Sequence, residues 1–372
     1  MNARMPAEVF PPGEFLREEL EAQEWSQQEL ADILDRPPRL ISELISGKRA
    51  ITPETACGLA QAFGTSAEYW MNLESQYQLS KVKVTHNHIA RKAQLYSKFP
   101  VREMLRRDWV RTSENLDVLE QRFCEFFGMD SMDDAPVLLH HAKKTHPLAE
   151  VTPLQLAWLF RVKGMAIQQK IPTYRREKLL AAVEQLKTLT LAPEEARHAP
   201  RILAEAGVRL VFVEPMSGSK LDGACFWLSD EQPVIGMSLR FDRMDNFWFV
   251  LRHEIEHVLQ EDGKDSEAPI IDQCLGDSHE ALSECELRAN HAGADFCVPT
   301  DQLDNFIARV QPYFSEQKVL LFAQRIHVHP GLVVGQLQRR LKRYDLLRKH
   351  QVKIRACIVP FADVDGWGSF SE

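Results

Sequence analysis

The sequence has no CxxC pair, no long apolar run and no excess of positive charge, and each absence excludes a class of protein. Its 7 cysteines are scattered, at positions 57, 124, 225, 274, 285, 297 and 357. An odd, scattered set argues against a disulfide framework and predicts reduced thiols in a cytoplasmic protein. No run of about 18 apolar residues occurs, so we expect no membrane span. The N-terminal segment MNARMPAEVFPPGEF has no apolar core of signal-peptide length.

Acidic residues outnumber basic ones, 53 Asp and Glu against 45 Lys and Arg, and the formal net charge is -8. The chain as a whole is therefore no general polyanion binder, and contact with nucleic acid must come from a local basic patch. One basic stretch, 81–111, holds nine Lys or Arg against two Asp or Glu. It is either a helix that flanks DNA or a solvated linker helix, and the usual behaviour of charge runs favours the linker.

The pattern of apolar residues predicts a mainly α protein with a small β-sheet, an α+β fold. Helical spacing and turn signals predict short helices over 10–75 and further helices over 112–205. β-branched and apolar runs then predict three strands, Val208–Val213, Ala224–Leu228 and Pro233–Leu239. The helices expected after them are Met244–Gln260, Glu280–Cys297, 302–310, 315–326 and 331–344, and we expect the last residues, ADVDGWGSFSE, to be frayed.

Two short helices with a brief turn between them follow Trp25. Ser26 and Glu29 form a capping signature for the first, and the second runs from Pro37-Pro38 to a C-cap at Gly47. This arrangement predicts a helix-turn-helix whose second helix enters the major groove, although a plain helical bundle has the same periodicity. The residues expected to face DNA are Gln28 on the first helix, Pro38, Arg39, Ser42 and Glu43 on the second, and Lys48, Arg49 and Thr52 at phosphates beyond it.

The stretch WSQQELADILDRPPRLISELISGKRAITPETACGLAQAFGTSAEYWMNLESQYQL resembles the XRE/Cro-type helix-turn-helix, and within it the HigA-type antitoxin branch. The likeness covers about residues 10–80. It implies that the domain binds operator DNA as a homodimer and neutralises a small toxin protein. Pro37-Pro38 and Glu43 depart from the small polar and basic residues usual in the recognition helix. Glu43 would repel phosphate, or accept a hydrogen bond from a cytosine amino group.

The motif His253-Glu254-Ile255-Glu256-His257 places two histidines one helical turn apart, so that both imidazoles can share a metal ion. In zinc peptidases the glutamate at the position of Glu254 polarises water and shuttles its proton. Zinc needs about four ligands, one of them left to water or substrate. The motif has few fixed positions, so it also arises by chance. The candidates for a third protein ligand are His279, Glu280, Glu284, Glu286 and His291.

The segment FDRMDNFWFVLRHEIEHVLQEDG and the helix that begins with ELRAN at Glu286 together resemble the ImmA/IrrE family of zinc metallopeptidases. The likeness spans about residues 200–300 and implies a zincin-like domain. By this resemblance Glu286 completes a site for one Zn²⁺ with His253 and His257, and Glu254 is catalytic.

Two departures from that family bear on catalysis. Glu256 stands where Gly or Ala is usual, so its charge must reach solvent or a partner such as Arg252. His291 and Ala292 replace residues that are usually apolar or aromatic. A metal-binding but inactive sensor is therefore the alternative to a peptidase. A peptide substrate would lie along Val234–Leu239, as an addition to an exposed sheet edge.

Three functions are open at this point. The chain could be a DNA-binding regulator that cleaves a regulatory protein or itself. It could be a HigA-like antitoxin whose C-terminal domain is an inactive metal-binding or dimerisation module, or a stand-alone metalloprotease that DNA binding only localises. The predicted regions are a helix-turn-helix domain at 1–80, a basic linker at 81–111, a helical region at 112–205, a metallopeptidase-like domain at 206–345 and a tail at 346–372.

Overall fold

A computed structural model describes residues 9–82, 88–136, 138, 151–264, 270–273 and 283–368. The chain divides into two units, Met1–His88 and Ile89–Glu372, and each has apolar cores of its own. The predicted mainly helical fold with a small sheet is confirmed. In the part of the chain described, no helix is long and apolar enough to cross a membrane. The finer boundaries at 111, 205 and 345 stay a prediction.

The described part of the first unit packs helices around one small core. They are α1 (Pro12–Ala22), α2 (Gln27–Ile33), α3 (Pro38–Ile45), α4 (Pro53–Phe63) and α5 (Ala67–Lys81). Each contributes at least one fully buried residue, and the largest of these are Leu16, Leu30, Ile41, Leu59 and Trp70. The Trp70 indole nitrogen donates to Thr65 Oγ1 at 2.9 Å, so this large ring is buried with its polar group satisfied.

Local polar residues determine where the helices of the predicted helix-turn-helix begin and end. Ser26 Oγ accepts from the Glu29 amide at 3.2 Å, and the Glu29 carboxylate accepts from the Ser26 amide at 2.6 Å. This capping box starts α2 as predicted. Proline occupies the first turn of α3. Gly47, with a φ of 67°, follows α3 in a left-handed conformation that glycine adopts at little cost.

In the second unit, helices precede and follow the first three strands of a five-stranded sheet. The helices before it are α6 (His88–Lys98), α7 (Val101–Arg106), α8 (Leu116–Phe127), α9 (Pro153–Gln168), α10 (Arg176–Thr188) and α11 (Ala199–Glu205). The later helices are α12 (Met244–Leu259), α13 (Glu284–Cys297), α14 (Thr300–Val310), α15 (Glu316–Arg325), α16 (Pro330–Leu341) and α17 (Arg355–Ile358). Short 3-10 turns lie at Leu189–Leu191, Pro193–His198, Arg348–His350 and Val359–Phe361.

The sheet has the strand order β4-β2-β3-β1-β5. Strand β1 is parallel to both of its neighbours, and β2 is antiparallel to both of its own. The strands are β1 (Arg209–Val213), β2 (Leu221–Trp227), β3 (Pro233–Met237), β4 (Ile270–Gln273) and β5 (Val364–Asp365).

A separate apolar core lies on each face of the sheet, because successive residues of a strand point to opposite sides. Leu210 and Phe212 of β1 join the core that contains α12, whereas Val211 and Val213 join the core that contains α9. The sheet therefore lies between two helical layers, and α12 is held against one face of it.

The structure corrects two expectations about the sheet. Segment Val234–Leu239 was expected to be an exposed edge, but β3 pairs with β2 on one side and β1 on the other, so it cannot receive a peptide. The last residues are not all frayed, since β5 pairs with β1. Asp365 is 1% exposed and accepts hydrogen bonds from Trp109 and Arg161. Strand β5 is too short to produce a periodic sequence signal.

Candidate DNA-reading helix and candidate metal centre

Helix α3 has an apolar face and an exposed polar face, as the prediction requires. Ile41 and Leu44 are buried in the core. Gly13 of α1 lies against the end of α3, where an added Cβ would be 2.3 Å from the carbonyl oxygen of Ile45. The outer face therefore points away from α1. The predicted contacts Gln28, Pro38, Arg39, Ser42, Lys48, Arg49 and Thr52 are exposed, and Glu43 is partly buried.

Glu43, the unusual acid of α3, lies between two arginines. Arg39 Nε is 2.7 Å from Glu43 Oε1, and Arg49 Nη1 is 3.7 Å from Glu43 Oε2. The hydrogen bond from Arg39 is the main reason that the pKa of Glu43 is lowered. Glu43 therefore carries its charge and balances that of the arginines within the first unit.

Two other predicted contacts are engaged in local hydrogen bonds. Gln28 Nε2 donates to Asp32 Oδ1 at 3.1 Å along α2. Thr52 Oγ1 accepts from the amide of Thr55 at 3.3 Å and so caps α4. Both side chains remain exposed, but each has a structural role that the sequence analysis did not assign.

In the second unit, three side chains from two helices converge on one point. His253 and His257 of α12 are 0% exposed, and their Nε2 atoms lie 3.1 Å apart. Glu286 of α13 places Oε2 at 3.3 Å from His253 Nε2 and Oε1 at 3.6 Å from His257 Nε2. The structure thus brings together the three residues that were predicted to bind metal.

These separations fit a tetrahedral zinc site. With bonds of about 2.0–2.1 Å, the ligand atoms of a tetrahedral ion lie about 3.3–3.4 Å from one another. The histidine nitrogens lie 3.1 Å apart, and the two oxygens of Glu286 lie 3.3 and 3.6 Å from one nitrogen each, so the individual pairs, though not one set of three atoms, have about this spacing. Two imidazole nitrogens and one carboxylate oxygen are also a donor set that zinc prefers, with the fourth position left open.

Helix α13 can bring Glu286 to the histidines because small residues line its contact with α12. Ala289 is fully buried, and a Cβ added to Gly293 would lie 2.8 Å from the carbonyl oxygen of Phe249. The other described candidates on this helix, Glu284 and His291, are exposed and outside the cluster. His279 and Glu280 lie outside the described residues.

The pKa shifts of His257 and Glu286 favour metal binding. Burial lowers the pKa of His257, and His253 lowers it further, against the opposing effect of Asp262 and Glu286. Burial acts to raise the pKa of Glu286, but the hydrogen bond and charge of His253 outweigh it, so that the pKa is lowered. A neutral imidazole and an ionised carboxylate are the forms that donate electron pairs to a metal.

Glu254 points from α12 toward strand β2. It is 0% exposed, and its Oε1 would lie 2.3 Å from a Cβ added to Gly223. Only a residue without a side chain leaves space for the carboxylate at this point of the strand. Gly223 is a supporting residue that sequence analysis missed, and its signal is a glycine directly before the predicted strand Ala224–Leu228.

Glu256, which departs from the family pattern, has the partner that was expected. Arg252 Nη2 lies 2.8 Å from Glu256 Oε2, and Gln260 Nε2 donates to Glu256 Oε1 at 2.8 Å. Arg288 of α13 lies 3.9 Å away. Glu256 is therefore accommodated on α12 by ion pairing, although it is only 7% exposed.

Asp262 is a further residue that sequence analysis did not identify. Its Oδ2 lies 3.0 Å from His257 Nδ1, on the side of the imidazole opposite the cluster. Arg288 Nη2 lies 3.0 Å from the same carboxylate oxygen. The only sequence signal is an acid five residues after the second histidine, just beyond the end of α12.

Comparison with known proteins finds relatives of the first unit. The sequence model of the helix-turn-helix family matches residues 16–70. The uncharacterized HTH-type transcriptional regulator YddM of Escherichia coli is 34% identical over 74 residues, which are 20% of this chain and 79% of that protein. Virulence-associated protein I of Dichelobacter nodosus is 41% identical over 76 residues, which are 20% of this chain and 68% of that protein.

Two solved structures are similar to the same part of the chain. One is an addiction module antidote protein of the HigA family from Coxiella burnetii, with 39% identity over 19% of this chain and 78% of that chain, and a TM-score of 0.19. The other is the antitoxin HigA of Pseudomonas aeruginosa with the higBA promoter, with 31% identity over 24% of this chain and 91% of that chain, and a TM-score of 0.20.

Proposed function

Because the chain belongs to the helix-turn-helix family through its first unit, we propose that it is a DNA-binding transcriptional regulator of antitoxin type whose second unit carries a zinc-dependent peptidase-like site. The substrate would be a regulatory protein or the chain itself. Operator DNA, a homodimeric partner and a small toxin protein are the partners that this function implies.

The exposed face of α3 supports the DNA-binding half of the proposal. Arg39 and Ser42 are exposed there, with Lys48 and Arg49 just beyond the helix. An exposed second helix with basic residues beside it can enter the major groove and contact phosphates. Titration of the chain's own promoter at graded salt tests this half, since binding through phosphates weakens steeply as salt rises.

The metal-binding part of the proposal rests on the convergence of His253, His257 and Glu286, whose ligand atoms lie within 4.8 Å of one another. These residues would hold the ion, and a zinc ion with an open position polarises water and a peptide carbonyl. Both histidines are fully buried, so that little solvent competes for their nitrogens. Glu286 offers two oxygens toward the pair.

Glu254 would act as the general base and acid of peptide hydrolysis. It follows His253 on α12, and Gly223 leaves the space that holds its carboxylate. A carboxylate in this place can take a proton from attacking water and deliver it to the leaving amine. Burial of Glu254 at 0% exposed also favours a second candidate, a HigA-like antitoxin whose second unit is an inactive metal-binding or dimerisation module.

Two variants test the zinc site and the peptidase in turn. Glu286→Ala is expected to lower the zinc content from about one per chain toward zero, because three protein ligands become two. Glu284→Ala, an exposed acid on the same helix, is the matched control and should keep its zinc. Metal content of the purified chains is measured by atomic emission.

Glu254→Gln is expected to keep zinc and to slow cleavage by about 10²–10⁴-fold, because general acid–base catalysis contributes about that much. Cleavage of the chain itself is followed by mass spectrometry, and regulation is followed on a promoter reporter. If this variant represses and responds as the wild type does, the peptidase is contradicted and the inactive module is favoured.

A further inference from the structure

The two histidines of the metal cluster differ in what holds their rings. His257 Nδ1 lies 3.0 Å from Asp262 Oδ2, whereas His253 Nδ1 is buried with no hydrogen-bond partner among the described residues. A carboxylate at Nδ1 places the proton there and leaves the lone pair on Nε2, the atom that faces the cluster. The His257 ring is therefore oriented by a hydrogen bond at Nδ1, and the His253 ring has no such bond among the described residues.

The backbone holds Asp262 in place just after α12 ends. Its amide donates to the carbonyl of His257 at 2.9 Å. Its own carbonyl accepts from the indole nitrogen of Trp227, at the end of β2, at 3.1 Å. Glu261, the residue before it, has a φ of 57°, which turns the chain back toward the helix. The carboxylate therefore has a defined position that its side chain alone would not give.

Arg288 connects Asp262 to the helix that carries the third ligand. Arg288 Nη2 lies 3.0 Å from Asp262 Oδ2 and 3.2 Å from Oδ1. Arg288 is two residues after Glu286 on α13. The ion pair thus joins the end of α12 to the first turns of α13, beside the point where both helices contribute to the cluster.

We propose that Asp262 is a positioning residue, which orients His257 for metal and, through Arg288, holds the helix of Glu286 against the histidines. This inference rests on the proposed zinc site. Arg288 would affect zinc binding only through its ion pair with Asp262. Neither residue supplies an atom to the cluster of His253, His257 and Glu286.

The test measures zinc affinity of the full-length chain by competition with a chromophoric chelator. Asp262→Ala is expected to weaken zinc binding by about 10–100-fold, the usual cost of removing a carboxylate behind a metal-binding histidine. Asp262→Asn should weaken it less, because the amide oxygen can still accept from Nδ1. Glu261→Ala is the matched control: it removes a neighbouring carboxylate, which pairs with Lys264 on the surface, and its zinc affinity should equal that of the wild type.

Unfolding of the same variants in the presence of a strong chelator distinguishes a positioning role of Asp262 from a purely structural one. The proposal predicts that Asp262→Ala loses zinc affinity while its metal-free unfolding temperature stays close to that of Glu261→Ala. Arg288→Gln, on the exposed side, is expected to weaken zinc binding several-fold in the wild type and to have no added effect in Asp262→Ala. Additive losses in the double variant would show that Arg288 acts independently.

Two negative outcomes have different meanings. If the wild type binds zinc and Asp262→Ala binds it equally well, Asp262 does not position the site, and the proposed zinc site stands. If the wild type binds no zinc, the zinc site and this inference fall together.

Discussion

At the scale of single residues, two glycines of the second unit make room for the candidate site. Gly223 of β2 leaves space for the carboxylate of Glu254, and Gly293 of α13 allows close approach to Phe249 of α12. Neither needs a left-handed backbone, since neither has a positive φ. Their contribution is the absence of a side chain, since a methyl group would meet Glu254 at the first position and Phe249 at the second.

Gly223→Ala is expected to destabilise the chain by about 1–3 kcal/mol, the usual cost of forcing an extra group into a packed interior. It should also reduce cleavage, because the new Cβ would lie 2.3 Å from Glu254 Oε1. Urea unfolding and the cleavage assay check the two effects.

Gly164→Ala in α9 is the control, since a Cβ there would have no atom within 4 Å. It should stabilise by about 0.5–1 kcal/mol, because alanine suits a helix interior better than glycine does. Equal unfolding free energies for the two variants would contradict the steric explanation.

At the scale of elements, Glu43 of α3 forms ion pairs with one arginine of the helix and with one just beyond it. Arg39 and Arg49 both pair with Glu43, and Arg39 is 88% exposed on its side chain. An arginine paired with a carboxylate offers less net charge to phosphate than one that is unpaired. We therefore expect Glu43 to weaken the sequence-independent attraction of the two arginines to DNA.

Glu43→Gln is expected to strengthen binding to random-sequence DNA, because both arginines can then turn to phosphates. The slope of log affinity against log salt should steepen by about 0.9 for each additional phosphate that an arginine neutralises. Fluorescence anisotropy at several salt concentrations measures it. The control is Glu54→Gln, which removes the same charge from a pair with Arg36 in the same unit and should leave the slope nearly unchanged. A slope that is the same in both variants would contradict the role given to Glu43.

At the scale of the whole molecule, the two units have separate apolar cores. The first contains Leu16, Ile41 and Trp70, and the second holds one core on each face of its sheet. The candidate metal residues all belong to the second unit, and the predicted DNA contacts all belong to the first. Metal binding should therefore stabilise the unit that contains the site.

Removal of zinc by a chelator is expected to lower the unfolding temperature of the second unit by about 5–10 °C, because an ion present at 100–1,000 times its Kd stabilises by about 3–4 kcal/mol. The transition of the first unit should not move. Calorimetry of the full chain with and without chelator measures both transitions, and residues 1–88 alone identify the first. A shift of both transitions together would contradict separate stabilisation.

Features set by neighbouring residues could be predicted from the sequence. The capping box at Ser26, the glycine that follows α3 and the one-turn spacing of His253 and His257 all depend on local helix geometry. The same is true of the ion pair between Arg252 and Glu256, which are four residues apart on α12. The place of Glu286 came from resemblance, since the residue pattern alone left several acids and histidines open.

The sequence by itself determined the helices, their caps and the residue types that could read DNA or hold a metal, because those depend on chain neighbours within about one helical turn. Only the tertiary structure decided that β3 is central, that β5 joins the sheet, and that Glu286, Gly223 and Asp262 meet the histidine helix. These facts depend on contacts between segments far apart in the chain. Packing and strand pairing select such contacts, and the local sequence pattern does not specify which segments will meet.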